Sequence, residues 1–135
     1  MPTTRTDRLD IRSSDDVVRV RQQTRTLAIE AGLSLVDQTK IITAASELAR
    51  NTLDYGGGGE VRLEVVEQAG RRGLLLVFED HGPGIGDIEQ AMRDGFTSGS
   101  GLGLGLGGAK RLSNEFKIES VVGTGTKITI GRWKT

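Results

Sequence analysis

The chain has 135 residues, and its eighteen basic and eighteen acidic side chains give a formal net charge of zero. That length suits one domain with a real core, residues 1–135, while the neutral balance and the 4% aromatic content argue against a nucleic-acid or membrane partner. Cysteine is absent, which excludes disulfides and thiolate metal sites, and His81 is the only histidine. No run is apolar enough to cross a bilayer and the N-terminus lacks the apolar segment of a signal peptide, so a cytoplasmic location is expected.

Residues 3–12, with Leu9 and Ile11 among polar neighbours, read as a short strand. Ser13-Ser14-Asp15-Asp16 then supplies a helix N-cap, and Val17, Val18, Val20, Leu27 and Ile29 suit a partly buried helix that stops at Gly32. Ser34 caps a second helix running to about Tyr55, with Ile41, Ile42, Ala45, Leu48 and Ala49 as its apolar stripe. The four glycines at 56–59 end it. Val61, Leu63 and Val65 alternate with charged residues, predicting a strand with one wet face. Residues 74–78, Leu-Leu-Leu-Val-Phe, form an uninterrupted apolar run, as in a strand buried on both faces, and lead directly into Asp80.

A short helix is predicted over 87–93, then a glycine-rich stretch, then a helix carrying Ala109, Leu112 and Phe116. Strands near 117–122 and 126–133, joined by Gly123-Thr124-Gly125, close the chain. The resulting fold class is α+β: a mixed sheet with helices packed on one face.

Three segments carry candidate chemistry. Glu47 and Asn51 lie four apart, hence side by side on the second helix, and are expected on the side away from its apolar stripe. A carboxylate can take a proton from a hydroxyl or water, and a carboxamide oxygen is a hard ligand that suits Mg²⁺. Polar pairs on the outer face of an amphipathic helix are also ordinary.

Asp80 stands where a buried strand meets a glycine loop, Asp80-His81-Gly82-Pro83-Gly84-Ile85. A carboxylate there can accept from the exocyclic amine of adenine, while glycine lets backbone approach a flat ring closely. The same letters also spell an ordinary turn.

Residues 99–108 carry glycine at 99, 101, 103, 105, 107 and 108, with Leu102, Leu104 and Leu106 between. Such a loop can turn backbone N–H groups toward an anion. It is not a Walker loop, because Gly108-Ala109-Lys110-Arg111 replaces Gly-Lys-Ser/Thr. Gly103, Gly105 and Gly108 do fit a dinucleotide-binding spacing, but the preceding residues are loop-like rather than a strand. Glycine density over 94–108 predicts a mobile lid. Thr126, entering the last strand, could hold Asp80 if the two strands are neighbours.

Taken in order, Glu-x-x-x-Asn at 47–51, Asp-x-Gly-x-Gly at 80–84, the glycine-rich stretch and Gly-x-Gly-Thr at 123–126 resemble the GHKL nucleotide-binding superfamily of histidine kinases, gyrase-type ATPases, Hsp90 and MutL. Within it the chain is similar, end to end, to the small bacterial anti-sigma and switch-protein serine kinases, stressosome kinases above all. The resemblance implies a two-layer Bergerat sandwich binding ATP and Mg²⁺.

By the same resemblance Glu47 would be the general base toward a serine hydroxyl, and Asn51 would ligate Mg²⁺. Asp80 would read adenine in a pocket shaped by Gly82 and Gly84 and supported by Thr126, with Gly101, Gly103 and Gly105 over the phosphates. The substrate would be a STAS-domain protein, phosphorylation would release the kinase, and the freed kinase would activate a PP2C-type phosphatase. Gly107, and Ser113-Asn114, stand where the family commonly has proline and Met-Asp. A sigma-sequestering anti-sigma module, and an ATPase or detached histidine-kinase domain, are the rival readings.

Overall fold

A computed structural model describes residues 3–92 and 105–134. Strand β1 (Thr3–Ile11) is followed by helices α1 (Ser14–Glu30) and α2 (Leu35–Asp54). Strands β2 (Gly59–Gln68) and β3 (Arg71–Asp80), short helices α3 (Ile88–Ala91) and α4 (Gly105–Arg111), and strands β4 (Glu115–Val121) and β5 (Gly125–Trp133) complete the order. Both predicted caps form: Ser13 Oγ accepts from the Asp16 N–H, and Ser34 Oγ from the Asp37 N–H (3.1 Å).

The five strands form one sheet in the order β1-β2-β3-β5-β4, and every pairing is antiparallel. The expected mixed sheet is thereby corrected. Two successive helices separate β1 from β2, so the chain re-enters the sheet from the end it left and runs the other way. Phe116, expected on the helix after the glycines, instead belongs to β4, because α4 stops at Arg111.

The two-residue period of a strand decides which side chains face the helices. Leu74, Leu76 and Phe78 of β3 face the core, matched in register by Ile130 and Ile128 of β5. The same period carries Asp80 onto that face at the strand end, directly opposite Thr126. Helix α2 packs against α1, α4 and the sheet, so its buried arc is wider than its apolar stripe. A smaller cluster of Val66, Leu75 and Trp133 lies apart from the main core, with the Arg71 guanidinium 5.6 Å from the centre of the Trp133 ring.

Candidate functional site

The C-terminal half of α2, the end of β3 with its loop, and the start of β5 enclose a cavity of about 250 Å³. Its apolar part is made by Leu48, Phe78, Ile128 and Leu106. Asn51, Asp80, Thr126 and Asp87 bring polar side chains to it. A mostly apolar cleft with a few convergent polar groups is the usual form of a small-ligand site.

Asp80 is half-buried, and its Oδ1 accepts from the Gly82 N–H (2.9 Å). That bond folds the loop back on itself and orients the carboxylate. Gly82 backs onto the end of α2: a Cβ there would lie 2.8 Å from Gly56 Cα. Gly84 adopts φ +76°, and a Cβ on it would meet the Val121 carbonyl oxygen at 2.5 Å. Only glycine serves at that position, for conformation and for space. Gly84 lines the cavity; Gly82 is not among its walls and acts from behind.

The structure divides the Glu47–Asn51 pair. Asn51 is half-buried and faces the cavity. Glu47 is only 1% exposed and does not line it. The expectation that both sit on the outer face of α2 is therefore corrected, because α1 and α4 flank the helix as well as the sheet. Thr126 is brought beside Asp80 as anticipated, but the side-chain partner of its hydroxyl is Ser120 Oγ (2.9 Å).

Gly105, expected in the loop over the phosphates, is the first residue of α4. Gly101 and Gly103, and most of the predicted lid, lie outside the described residues. Leu106 is buried, and Lys110 and Arg111 take the exposed side of α4. His81 is exposed.

Two positions that shape the walls of the site escaped reasoning from sequence. Gly56 allows α2 to end against Asp80, and its only signal was membership of a four-glycine run. Ser120 bonds the loop and β5 across 35 positions of chain and had no local signal. Among the described residues no three His, Cys, Asp or Glu side chains gather to form a metal cage.

A five-stranded antiparallel sheet with helices on one face, carrying a cleft lined by Asn51, Asp80 and the Gly84 loop that follows β3, is the architecture of a Bergerat-type domain. The chain belongs to the family of histidine kinase-, DNA gyrase B- and HSP90-like ATPases, whose model matches residues 36–135.

Among curated relatives it is 49% identical over 118 residues to the serine/threonine-protein kinase RsbT of Bacillus subtilis, covering 87% of this chain and 89% of that one. It is 29% identical over 116 residues to the anti-sigma F factor of Clostridium novyi, covering 76% and 78% respectively. Solved structures that share the fold include the following two. The RsbU and RsbW domains of a Mycobacterium tuberculosis protein match at TM-score 0.64 and 21% identity, over 98% of this chain and 34% of theirs. The mycobacterial sensor histidine kinase MprB matches at TM-score 0.55 and 17% identity, over 96% and 97%. Among the described residues no helix is long and apolar enough to cross a membrane.

Proposed function

We propose that this chain is an ATP-dependent serine/threonine protein kinase acting as one domain over residues 1–135, and that it works as a switch. It phosphorylates a STAS-domain antagonist or scaffold protein and is thereby released to activate a PP2C-type phosphatase. The observation that carries the reading is Asp80 at the edge of an apolar cleft of nucleobase size, opposite Asn51. The high identity to a named serine/threonine kinase along most of both chains supports the choice of reaction.

Asp80 accepts from the adenine amine while its second interaction, with the Gly82 N–H, keeps the carboxylate oriented. Leu48, Phe78 and Ile128 cover the ring faces and exclude water. Gly101 and Gly103 cradle the phosphates, with Gly105 starting the helix beyond them. Glu47, one turn before Asn51, takes the proton of the acceptor hydroxyl as it attacks the terminal phosphate.

Asn51 fits Mg²⁺ better than it fits other metals. The described residues offer one hard carboxamide oxygen at the cleft and no cage of anionic or nitrogen ligands. Mg²⁺ is typically held by few protein oxygens together with phosphate oxygens and water. When bound it neutralises charge on the phosphates. Phosphorylating the docked partner adds about −2 charge to an interface that did not pair it, which favours release.

The test is transfer of radiolabel from ATP to a STAS-domain protein of the same genome, with Asp80→Asn as control. Label on a serine or threonine of the partner, lost in the variant, supports the kinase reading. ATP binding without transfer would overturn it.

The second reading is an anti-sigma module that holds a sigma factor by surface contact, favoured by the likeness to a protein named anti-sigma F factor. Stable capture of a purified sigma factor, with no phosphorylation of STAS proteins, would select it.

A further inference from the structure

Ser120 lies on β4 directly opposite Thr126 of β5, which in turn lies directly opposite Asp80 of β3. Its hydroxyl is the meeting point of three groups. The Ile85 N–H donates to Ser120 Oγ (2.7 Å), Thr126 Oγ1 lies 2.9 Å away, and the Gly125 carbonyl oxygen lies at 3.2 Å. Ile85 and Thr126 both line the cavity, whereas Ser120 stands behind them.

A hydroxyl has one proton and two lone pairs. The Ile85 N–H occupies one lone pair, which leaves two arrangements. In the first, Ser120 donates to the Gly125 carbonyl and Thr126 donates to Ser120, so that Thr126 presents only lone pairs to the cavity. In the second, Ser120 donates to Thr126 Oγ1, and the Thr126 proton is free to point into the cavity. Ser120 therefore sets whether Thr126 gives or takes a hydrogen bond there.

We propose that Ser120 is a positioning residue of the nucleotide pocket, anchoring the Gly84–Ile85 segment and holding Thr126 as a donor toward the base. The inference rests on the ATP reading given above. The edge of adenine carries an amine donor next to a ring-nitrogen acceptor. An ionised Asp80 can only accept, and so matches the amine. Thr126, next to Asp80 across the strands, matches the ring nitrogen only if its proton is free. Ser120 supplies that condition when its one proton goes to Thr126 Oγ1, the nearer of its two acceptors (2.9 Å against 3.2 Å), rather than to the Gly125 carbonyl oxygen. It also ties the loop to the β4–β5 hairpin, so the wall that carries Gly84 and Ile85 is held in place before a ligand arrives.

The experiment is calorimetric titration of the full chain with ATP, and with an ATP analogue whose amine-adjacent ring nitrogen is replaced by C–H. It is run on the wild type, Ser120→Ala and Ser120→Thr. Loss of one hydrogen bond to each of two wall groups is expected to weaken ATP binding by roughly tenfold in S120A. The wild type should prefer ATP over the analogue. That preference should collapse in S120A and return in S120T, which keeps a hydroxyl. Without nucleotide, the Ile85 amide should exchange with solvent faster in S120A.

If S120A does not fold, Ser120→Cys, close in size with a weak donor and acceptor, is expected to give the same loss of preference. An S120A, or S120C, that binds ATP like the wild type, or keeps the full preference over the analogue, overturns the inference alone. A wild type that binds neither nucleotide overturns the ATP reading and this inference with it.

Discussion

Gly56 and Asp80 are packed so closely that a Cβ on Gly56 would lie 2.5 Å from both Cβ and Cγ of Asp80. The turn that follows α2 thus forms the seat of the Asp80 carboxylate, and the helix that carries Asn51 is registered against the end of β3. The same Cβ would lie 2.7 Å from the Thr52 carbonyl oxygen, so there is little freedom to yield.

Gly56→Ala is therefore expected to displace Asp80 and weaken ATP binding by about tenfold or more, while overpacking costs about 1–3 kcal/mol of stability. Calorimetry and urea unfolding measure the two effects. An alanine variant with wild-type affinity would show that the seat is not needed.

In the proposed nucleotide pose, Asp80→Asn keeps one acceptor oxygen for the Gly82 N–H and turns its NH2 donor toward the adenine amine. Loss of a hydrogen bond to a charged group is worth about 1.5–3 kcal/mol, so ATP affinity should fall by roughly ten- to a hundredfold. The fold should survive, since Asp80 lies at the end of β3 and is half-buried. Circular dichroism alongside titration separates the two outcomes.

Glu47→Gln keeps the shape of a residue that does not line the cavity. Phosphoryl transfer to the protein acceptor should drop by about a hundredfold or more, with ATP affinity unchanged. A parallel loss of both, seen by single-turnover assay and titration, would assign Glu47 to binding instead.

Arg132 and Asp37 form an ion pair at 2.9 Å, with side chains only 12% and 9% exposed. Arg132 also donates to the Leu112 carbonyl oxygen (3.1 Å), joining β5, α2 and the segment after α4. Arg132→Met leaves Asp37 buried without its partner and should cost about 3 kcal/mol in urea unfolding. Adding Asp37→Leu should recover much of the loss; no recovery would mean that the arginine acts through the Leu112 bond alone.

The Arg12 backbone N–H donates to Asp16 Oδ2 (2.8 Å), and this bond, aided by Arg19, holds the Asp16 carboxyl below the usual aspartate range. A carboxyl whose folded value lies below its unfolded value adds stability above the unfolded value and loses it as pH falls through the folded one. Stability should therefore drop in the acid range below the ordinary aspartate value, and Asp16→Asn should flatten part of that slope. An identical pH profile for the two proteins, followed by thermal unfolding, would assign the acid sensitivity elsewhere.

Much of this molecule could be read from local pattern. The caps at Ser13 and Ser34, the stripe of α2, the doubly buried run 74–78 and the emergence of Asp80 from its end are all properties of neighbours in sequence, set by helix and strand periodicity. The ordered motifs likewise named the family before any fold was in view.

Tertiary structure decided what depends on distant partners. The antiparallel course of the whole sheet follows from how the connections cross it, and no residue within a strand encodes that. Glu47 is buried because α2 is flanked on more than one side, whereas its own helix pattern marks it as solvent-facing. Gly56 and Ser120 matter through contacts made 24 and 35 positions away, with Asp80 and Ile85. Periodicity reports which way a side chain points; only packing determines what it meets there.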